Sequence, residues 1–265
     1  MTDATIEQQG QGDPTLVLVH GFPLDRSLWQ GQAPLSRSAR LVVLDLPGFG
    51  DTPAAQMTGG LAGYSSAVLA AMDRAGLERA TLCGISMGGY VLFDLWRRAA
   101  HRIAGLVLCD TRADADTPQV KLGREQSIAL VRSGQRREVT DGMLDRLLGA
   151  RSRQRSELVQ QTRAMMERAS DDGIVAALQA MRERPDSTAD LARITVPTLV
   201  VVGAEDVLTP PEVAQQMSDG IAGSRLVVIP DAGHLSPLEN PEAFNHALAG
   251  FVGSAPERRG MQVQP

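Results

Sequence analysis

Three polar residues of the chain have the types and the order that acyl-transfer chemistry requires. Ser86 lies in the segment GISMG at residues 84–88, which fits the pattern GxSxG. A serine hydroxyl is a weak nucleophile until a base takes its proton and a carboxylate orients that base. His234 and Asp206 could supply these two groups, and they follow Ser86 in the order aspartate, then histidine. The sequence therefore predicts a catalytic triad of Ser86, Asp206 and His234.

The elements around Ser86 are those that such a nucleophile needs. Residues 80–85 have the apolar, β-branched character of a buried strand, and residues 87–100 have the spacing of a helix. A sharp strand-to-helix turn forces strained backbone angles on the serine and crowds its neighbours, which explains Gly84 and Gly88. The turn would raise the hydroxyl above the sheet, at the positive end of the helix. The alternative is a glycine-rich turn that only opens a packed helix.

The base and the acid are both expected in loops after predicted strands. His234 ends the segment PDAGH, at the same sheet edge where Ser86 emerges, whereas His101 and His246 fall at or inside helices and are expected to be surface or packing residues. Asp206 follows the strand next to the one that leads to His234. Asp110, after the preceding strand, and Glu205 remain alternatives for the acid.

A loop after the first strong strand could stabilise the negative charge of a tetrahedral intermediate. The segment HGFP at residues 20–23 ends that strand. An oxyanion hole needs two backbone N–H donors, and we expect them from Phe22 and from Met87, because Pro23 has no N–H to donate. The alternative is an ordinary strand-end turn in which His20 only holds the loop.

Strand-like runs alternate with helical patterns along the chain, which predicts an α/β fold with a doubly wound, mostly parallel sheet. The predicted strands are 16–20, 41–46, 80–85, 103–109, 198–202 and 225–229, with a weaker one at 4–8. The predicted helices are 61–75, 87–100, 211–221 and 241–252, and the tail from 253 onward is predicted to be disordered.

Residues 112–193 show helical apolar spacing and no strand-like run, so we expect a cap of about four helices inserted into a core formed by 1–111 and 194–265. Ser170, before Asp171 and Asp172, is typical of a helix N-cap. None of the nine aromatic residues falls in this segment. An apolar, adjustable roof over Ser86 would suit short or medium acyl groups. Candidate substrate contacts, none of them compelled by a motif, are Trp29, Met143, Val207 and Leu235.

Composition excludes several other functions. The chain has 265 residues, is 43% hydrophobic and carries a net charge of -5, and no Lys/Arg run exceeds two, which disfavours nucleic-acid binding. Two cysteines cannot form a disulfide framework, and both are predicted to be buried small hydrophobes. No apolar run is long enough for a membrane span, and the polar N-terminus is no signal peptide, so we expect a cytoplasmic protein. Without a P-loop or a GxGxxG after a strand we expect no cofactor, and no ligand cluster suggests a metal.

Taken together, the segments HGF at 20–22, DLPGFGDT at 45–52, GISMGG at 84–89, GAEDVLTPP at 203–211 and DAGHLSPLENPEAF at 231–244 resemble the α/β-hydrolase superfamily. The second half is most similar to 3-oxoadipate enol-lactonase-like esterases. The first half departs from them, because those lactonases typically lack the His-Gly pair, and HGFPL at 20–24 looks more like cofactor-free haloperoxidases and perhydrolases. The resemblance implies an ester or lactone substrate and leaves peracid formation from carboxylic acid and peroxide open.

The leading hypothesis is a metal-free serine hydrolase that cleaves a small carboxylic ester or lactone through an acyl-enzyme. A perhydrolase, a C–C hydrolase or a lyase on the same triad is the second hypothesis, and a small-molecule receptor of this fold is the third. The expected partner is the small substrate, with neither nucleic acid nor membrane. A homodimer through cap or sheet-edge surfaces is compatible with the sequence, although no feature compels it.

Overall fold

The fold is a layered α/β structure around one sheet. The computed structural model describes residues 4–54 and 59–253, and within them the sheet has seven strands. These are β1 (Ile6–Gln9), β2 (Thr15–Val19), β3 (Arg40–Leu44), β4 (Ala80–Ile85), β5 (Ile103–Cys109), β6 (Thr198–Gly203) and β7 (Arg225–Ile229). Their order is β1-β3-β2-β4-β5-β6-β7, with β1 antiparallel to β3 and the other neighbours parallel. The predicted fold class is confirmed.

The described residues form ten α-helices, and those outside residues 112–193 pack on the two faces of the sheet. The ten helices are α1 (Leu61–Arg74), α2 (Met87–Ala99), α3 (Pro118–Arg132), α4 (Arg136–Leu147), α5 (Ser156–Glu167), α6 (Asp171–Glu183), α7 (Thr188–Leu191), α8 (Pro211–Gly220), α9 (Ser236–Glu239) and α10 (Pro241–Val252). The described residues also contain 3₁₀-helices at Arg26–Arg37, Ala100–Arg102 and Ser152–Gln154. The predicted strands and core helices are confirmed to within one or two residues, and the predicted disordered tail lies, from residue 254 onward, outside the described residues.

The apolar core lies on both faces because successive strand residues point to opposite sides of the sheet. Val17 and Val19 of β2 belong to one buried cluster, together with residues of α1 and α2. Leu16 and Leu18 belong to the other, together with residues of α10 and of the 3₁₀-helix Arg26–Arg37. A strand buried on both faces has no polar face, which is why the central strands read as continuous apolar runs.

Two elements that pack near the candidate site were not predicted. The 3₁₀-helix Arg26–Arg37 contains Pro34, a residue that is typical of loops and argues against a helix in the sequence. Asp25 caps the start of this helix by accepting the N–H of Ser27 at 2.9 Å. The short helix α9 spans only four residues, too few for helical periodicity to be visible in the sequence. Both elements pack against each other and lie next to loops that carry candidate site residues.

All of residues 112–193 are described, and they form α3 to α7 and one short 3₁₀-helix without a strand. Ser170 caps α6 as predicted, since its hydroxyl accepts the N–H of Gly173 at 3.0 Å. The predicted burial of Cys83 and Cys109 is likewise confirmed, with their sulfurs 3.6 Å apart. Within residues 4–54 and 59–253, no helix combines the length and the apolar character needed to cross a membrane.

Candidate active site

Ser86 occupies a strained turn between β4 and α2. Its φ of 54° and ψ of -116° lie outside the regions that side-chain-bearing residues normally adopt. Two hydrogen bonds hold the turn: the Ser86 N–H donates to the carbonyl of Cys109 at 2.9 Å, and the hydroxyl of Thr111 donates to the Ser86 carbonyl at 2.8 Å. The end of β5 therefore fixes the strained residue from both sides.

The glycines around Ser86 are required by close backbone approach. A Cβ added at Gly84 would lie 2.6 Å from the carbonyl carbon of Gly88. A Cβ at Gly88 would lie 2.9 Å from the carbonyl oxygen of His20 and closer still to that of Val19. Because real Cβ atoms do not approach within 3.0 Å, neither position accepts a side chain without a backbone shift. The GxSxG spacing thus reflects how tightly α2 begins against β2 and β4.

The three predicted triad residues are hydrogen-bonded in sequence. Nε2 of His234 lies 2.9 Å from Oγ of Ser86, and Nδ1 of His234 lies 2.7 Å from Oδ2 of Asp206. An ionised carboxylate only accepts hydrogen bonds, so Nδ1 carries the proton and Nε2 is free to accept the serine hydroxyl. His234 and Asp206 are buried, while Ser86 is half-buried. This arrangement lets the imidazole remove a proton from Ser86.

Asp206 is held ionised by a dense set of donors. Oδ1 accepts the N–H groups of Leu208 at 2.8 Å and Thr209 at 3.0 Å, and Oδ2 accepts the Thr209 hydroxyl at 2.6 Å. Burial alone would raise the pKa of Asp206, but the interaction with His234 and the hydrogen bonds from His234 and Thr209 outweigh it, so the pKa is lowered. Thr209 was not predicted from the sequence. The pattern that could have indicated it is a threonine three residues after a loop aspartate, a spacing at which it can donate to the carboxylate.

The two alternative acids have other partners. Asp110 accepts the N–H of Gly203 at 2.7 Å and the hydroxyl of Ser236. Its burial, and next the charge of Asp206, raise the pKa of Asp110 well above the usual value for a carboxyl group. Glu205 accepts the N–H of Ala150 at 2.6 Å. The carboxylate brought to the histidine is thus that of Asp206.

The loop after β2 closes over the nucleophile. A Cβ added at Gly21 would lie 3.1 Å from the Cβ of Ser86, so loop and serine are in close contact. Among the described residues, neither the Phe22 N–H nor the Met87 N–H has a hydrogen-bond acceptor. The N–H of Met87 also lies in the first turn of α2, where such groups are normally unpaired. Both donors are therefore free to bind an oxyanion.

His20 holds this loop from beneath. Its Nδ1 lies 2.9 Å from the carbonyl oxygen of Gly21, and its Nε2 accepts the N–H of Leu46 at 2.9 Å. This pattern requires the proton on Nδ1. Complete burial lowers the pKa of His20. The neutral imidazole of His20 therefore connects the loop to the segment after β3. These contacts match the role of holding the loop that the sequence left open for His20.

The four candidate substrate contacts fall in different surroundings. Trp29 packs in the core against Phe244, with ring centroids 6.1 Å apart, and lines a cavity of about 460 Å³ whose walls, among the described residues, do not include the triad. Leu235 is buried directly after His234, and Val207, directly after Asp206, is 66% exposed. Met143 is half-buried and packs against the apolar clusters on both sides of the sheet.

Within residues 4–54 and 59–253, no group of three or more His, Cys, Asp or Glu side chains is arranged to hold a metal ion.

Solved structures of known proteins resemble this chain over nearly its whole length. The chain is 38% identical to a thermophilic esterase from Thermogutta terrifontis, solved with malate bound, at a TM-score of 0.91 over 95% of this chain and 93% of that one. It is 28% identical to an enol-lactonase from Burkholderia xenovorans LB400, at a TM-score of 0.87 over 95% and 97% of the two chains.

A curated relative from Pseudomonas putida, the dihydrolipoyllysine-residue acetyltransferase component of an acetoin cleaving system, is 29% identical over 93% of this chain; the chain spans 65% of that relative's length. The model of a family described as alpha/beta hydrolases matches residues 16–247, most of the chain. The chain therefore belongs to the alpha/beta hydrolase family.

Proposed function

We propose that the chain is a serine hydrolase that cleaves a small carboxylic ester or lactone through an acyl-enzyme intermediate. The observation that carries the proposal is the continuous hydrogen-bonded path from Ser86 Oγ through both ring nitrogens of His234 to Asp206. Relatives named as an esterase and an enol-lactonase support carboxylic ester hydrolysis as the reaction class.

The reaction starts with proton transfer. Nε2 of His234 takes the hydroxyl proton of Ser86 as Oγ bonds to the substrate carbonyl carbon, and the carbonyl electron pair moves onto oxygen. The negative charge of Asp206 stabilises the imidazolium that forms. The N–H groups of Phe22 and Met87 donate to the oxyanion, whose charge develops at the end of α2 where the helix dipole is positive.

Collapse of this intermediate breaks the bond between the carbonyl carbon and the alkoxy oxygen. The departing oxygen takes the proton from His234 Nε2, which leaves an ester of Ser86. Water then loses a proton to the same nitrogen as its oxygen bonds to the acyl carbon. The bond between that carbon and Ser86 Oγ breaks, Oγ takes the proton back from Nε2, and the carboxylic acid leaves. For a lactone the alcohol stays attached to the acyl group, so the product is a single hydroxy acid.

Residues 112–193 act in this proposal as a cap over the site. Two contacts favour it: the Ser170 N–H donates to the Gly48 carbonyl at 2.9 Å, and the His234 N–H donates to the Leu147 carbonyl at 2.9 Å. The segment is free of aromatic residues, and the half-buried Met143 can adapt to different apolar groups. Short or medium acyl chains suit such a roof better than sugars, which stack on aromatic rings.

A series of p-nitrophenyl esters from acetate to octanoate tests the proposal. The wild type should turn over with a kcat/KM that depends on chain length, and Ser86→Ala should lose activity by a factor of about 10⁴ or more. Ser66→Ala is the matched control, because the Ser66 hydroxyl donates within α1, to the Ala62 carbonyl at 2.8 Å, and has no other partner among the described residues. Equal, feeble rates for wild type and Ser86→Ala would refute the proposal, and peroxide-dependent halogenation of an indicator dye would then test the perhydrolase alternative.

A further inference from the structure

The loop that carries His234 lies backbone against backbone with the segment that follows α4. The His234 N–H donates to the carbonyl of Leu147 at 2.9 Å. A Cβ added at Gly233 would lie 2.8 Å from the carbonyl carbon of Leu148, and one added at Gly149 would lie 3.0 Å from the Gly233 nitrogen. Glycine at both positions therefore permits an approach that side chains would prevent, and it brings residues 147–149 to the base.

A buried carboxylate joins these two segments. Oε1 of Glu239, in α9, accepts the N–H groups of Gly233 at 2.9 Å and Leu235 at 3.0 Å, which flank His234 on both sides. Oε2 of the same side chain accepts the N–H of Gly149 at 2.8 Å. Glu239 is only 4% exposed, and three amide N–H groups donate to its carboxylate in place of the water that burial removes.

We infer that Glu239 is a positioning residue for His234, whose carboxylate anchors the loop of the base by bonding the amides on both sides of it. The inference rests on the proposed function, in which His234 is the base. Fixing the amides on both sides of a residue fixes its backbone, and the ring must lie within hydrogen-bond reach of both Ser86 and Asp206. The third bond, from the Gly149 N–H to Oε2, holds the carboxylate in the place from which Oε1 reaches both amides.

Glu205 provides a matched control. Its carboxylate accepts the N–H of Ala150 at 2.6 Å, the residue next to Gly149, so it also holds the cap segment. It has no bond to the amides that flank His234, and its own N–H donates to the carbonyl of Ala232. Loss of the Glu205 carboxylate therefore weakens the hold on the cap while the base stays anchored.

The test compares Glu239→Gln, Glu239→Ala and Glu205→Gln in the full chain, on the best p-nitrophenyl ester of the series. A glutamine offers one acceptor oxygen, so it can keep the bonds to the histidine loop or the bond to Gly149, but not all three. We expect kcat to fall about 10-fold in Glu239→Gln and about 100-fold in Glu239→Ala, with KM changed less than about 3-fold, because a misplaced base slows chemistry rather than binding. Glu205→Gln should keep kcat within about 3-fold of wild type.

Proton NMR supplies a reading that is independent of turnover. The Nδ1 proton between His234 and Asp206 should give a far-downfield resonance in the wild type and in Glu205→Gln, and it should shift or broaden in both Glu239 variants. Thermal melts identify a variant that fails to fold, and Glu239→Gln, which keeps the shape of the side chain, then carries the test.

Unchanged kcat and an unchanged resonance in the folded Glu239 variants would overturn the inference. An equal loss in Glu205→Gln would overturn it as well, because a weakened cap would then be sufficient explanation. If instead wild type and Ser86→Ala are equally inactive, the proposed function fails, and the resonance still reports whether Glu239 positions the ring.

Discussion

Replacement of Gly88 by alanine tests whether the approach of α2 to β2 sets the geometry of the nucleophile. The new Cβ would lie 2.9 Å from the His20 carbonyl oxygen and nearer to that of Val19. Reaching the 3.4 Å of ordinary van der Waals contact requires a shift of about 0.5 Å at His20 and more at Val19. Both neighbours are backbone atoms at the end of a fully buried strand, so the start of α2 must move instead.

The displacement has a cost in stability and in rate. Overpacking of this kind typically lowers the free energy of unfolding by about 1–3 kcal/mol. For a domain of this size that corresponds to a fall in Tm of about 2–4 °C per kcal/mol. The shift also moves the Ser86 hydroxyl and the Met87 N–H relative to His234, and misplacement approaching 1 Å can lower the rate about 100-fold. We therefore expect both Tm and kcat/KM to fall.

Gly142→Ala is the matched control, because Gly142 also lies inside a helix, α4, but its added Cβ meets nothing within 4 Å. Alanine has the higher helix propensity at both sites, which favours the variant by about 0.5–1 kcal/mol. Gly142→Ala should thus raise Tm slightly and leave kcat/KM unchanged, opposite in sign to Gly88→Ala. The reasoning is refuted if Gly88→Ala, measured by thermal melts and ester hydrolysis, behaves like Gly142→Ala.

Three further predictions concern the carboxylates near the base. Asp206→Asn should lower kcat/KM by several orders of magnitude, because it removes the charge that stabilises protonated His234. Asp110→Asn should lower kcat/KM less than about 10-fold. The reverse ranking of the two variants would show that Asp110 is the acid. The folded-state pKa of Asp110 is raised, so the contribution of Asp110 to stability is present below its unfolded pKa and is lost as pH rises through the folded pKa. In urea unfolding, the free energy of unfolding of Asp110→Asn should therefore rise relative to that of the wild type from pH 4 to 8. Thr209→Val removes a hydrogen bond that lowers the pKa of Asp206, and near neutral pH it should lower the free energy of unfolding by about 1.5–3 kcal/mol. That loss should shrink as pH falls through the folded pKa of Asp206; a difference that stays constant at every pH would contradict the assignment.

The sequence was sufficient for those parts of the site that depend on local structure. Ser86 could be predicted because its strand, turn and helix are contiguous, and His234 because the loop after the last strand must emerge at the same edge of a parallel sheet. The contacts of Glu239 could not be predicted, because its partner Gly149 lies 90 residues away and is a backbone amide, which any residue type provides. No motif pointed to Trp29 as a substrate contact, and the packing of its ring against Phe244 is likewise a contact between distant parts of the chain that local sequence does not reveal.

The choice between Asp206 and Asp110 shows why residue type and spacing alone left the acid open. Both are aspartates that follow neighbouring parallel strands, and both are buried, so burial pushes the pKa of each upward. Asp206 accepts two backbone N–H groups, the Thr209 hydroxyl and the His234 ring, which together hold the carboxylate ionised. Among the described residues Asp110 accepts one N–H and one hydroxyl, and the charge of Asp206 raises the pKa of Asp110 further. Ionisation of Asp206 thus opposes ionisation of Asp110, and a carboxylate that stabilises a protonated histidine must be the one that stays charged.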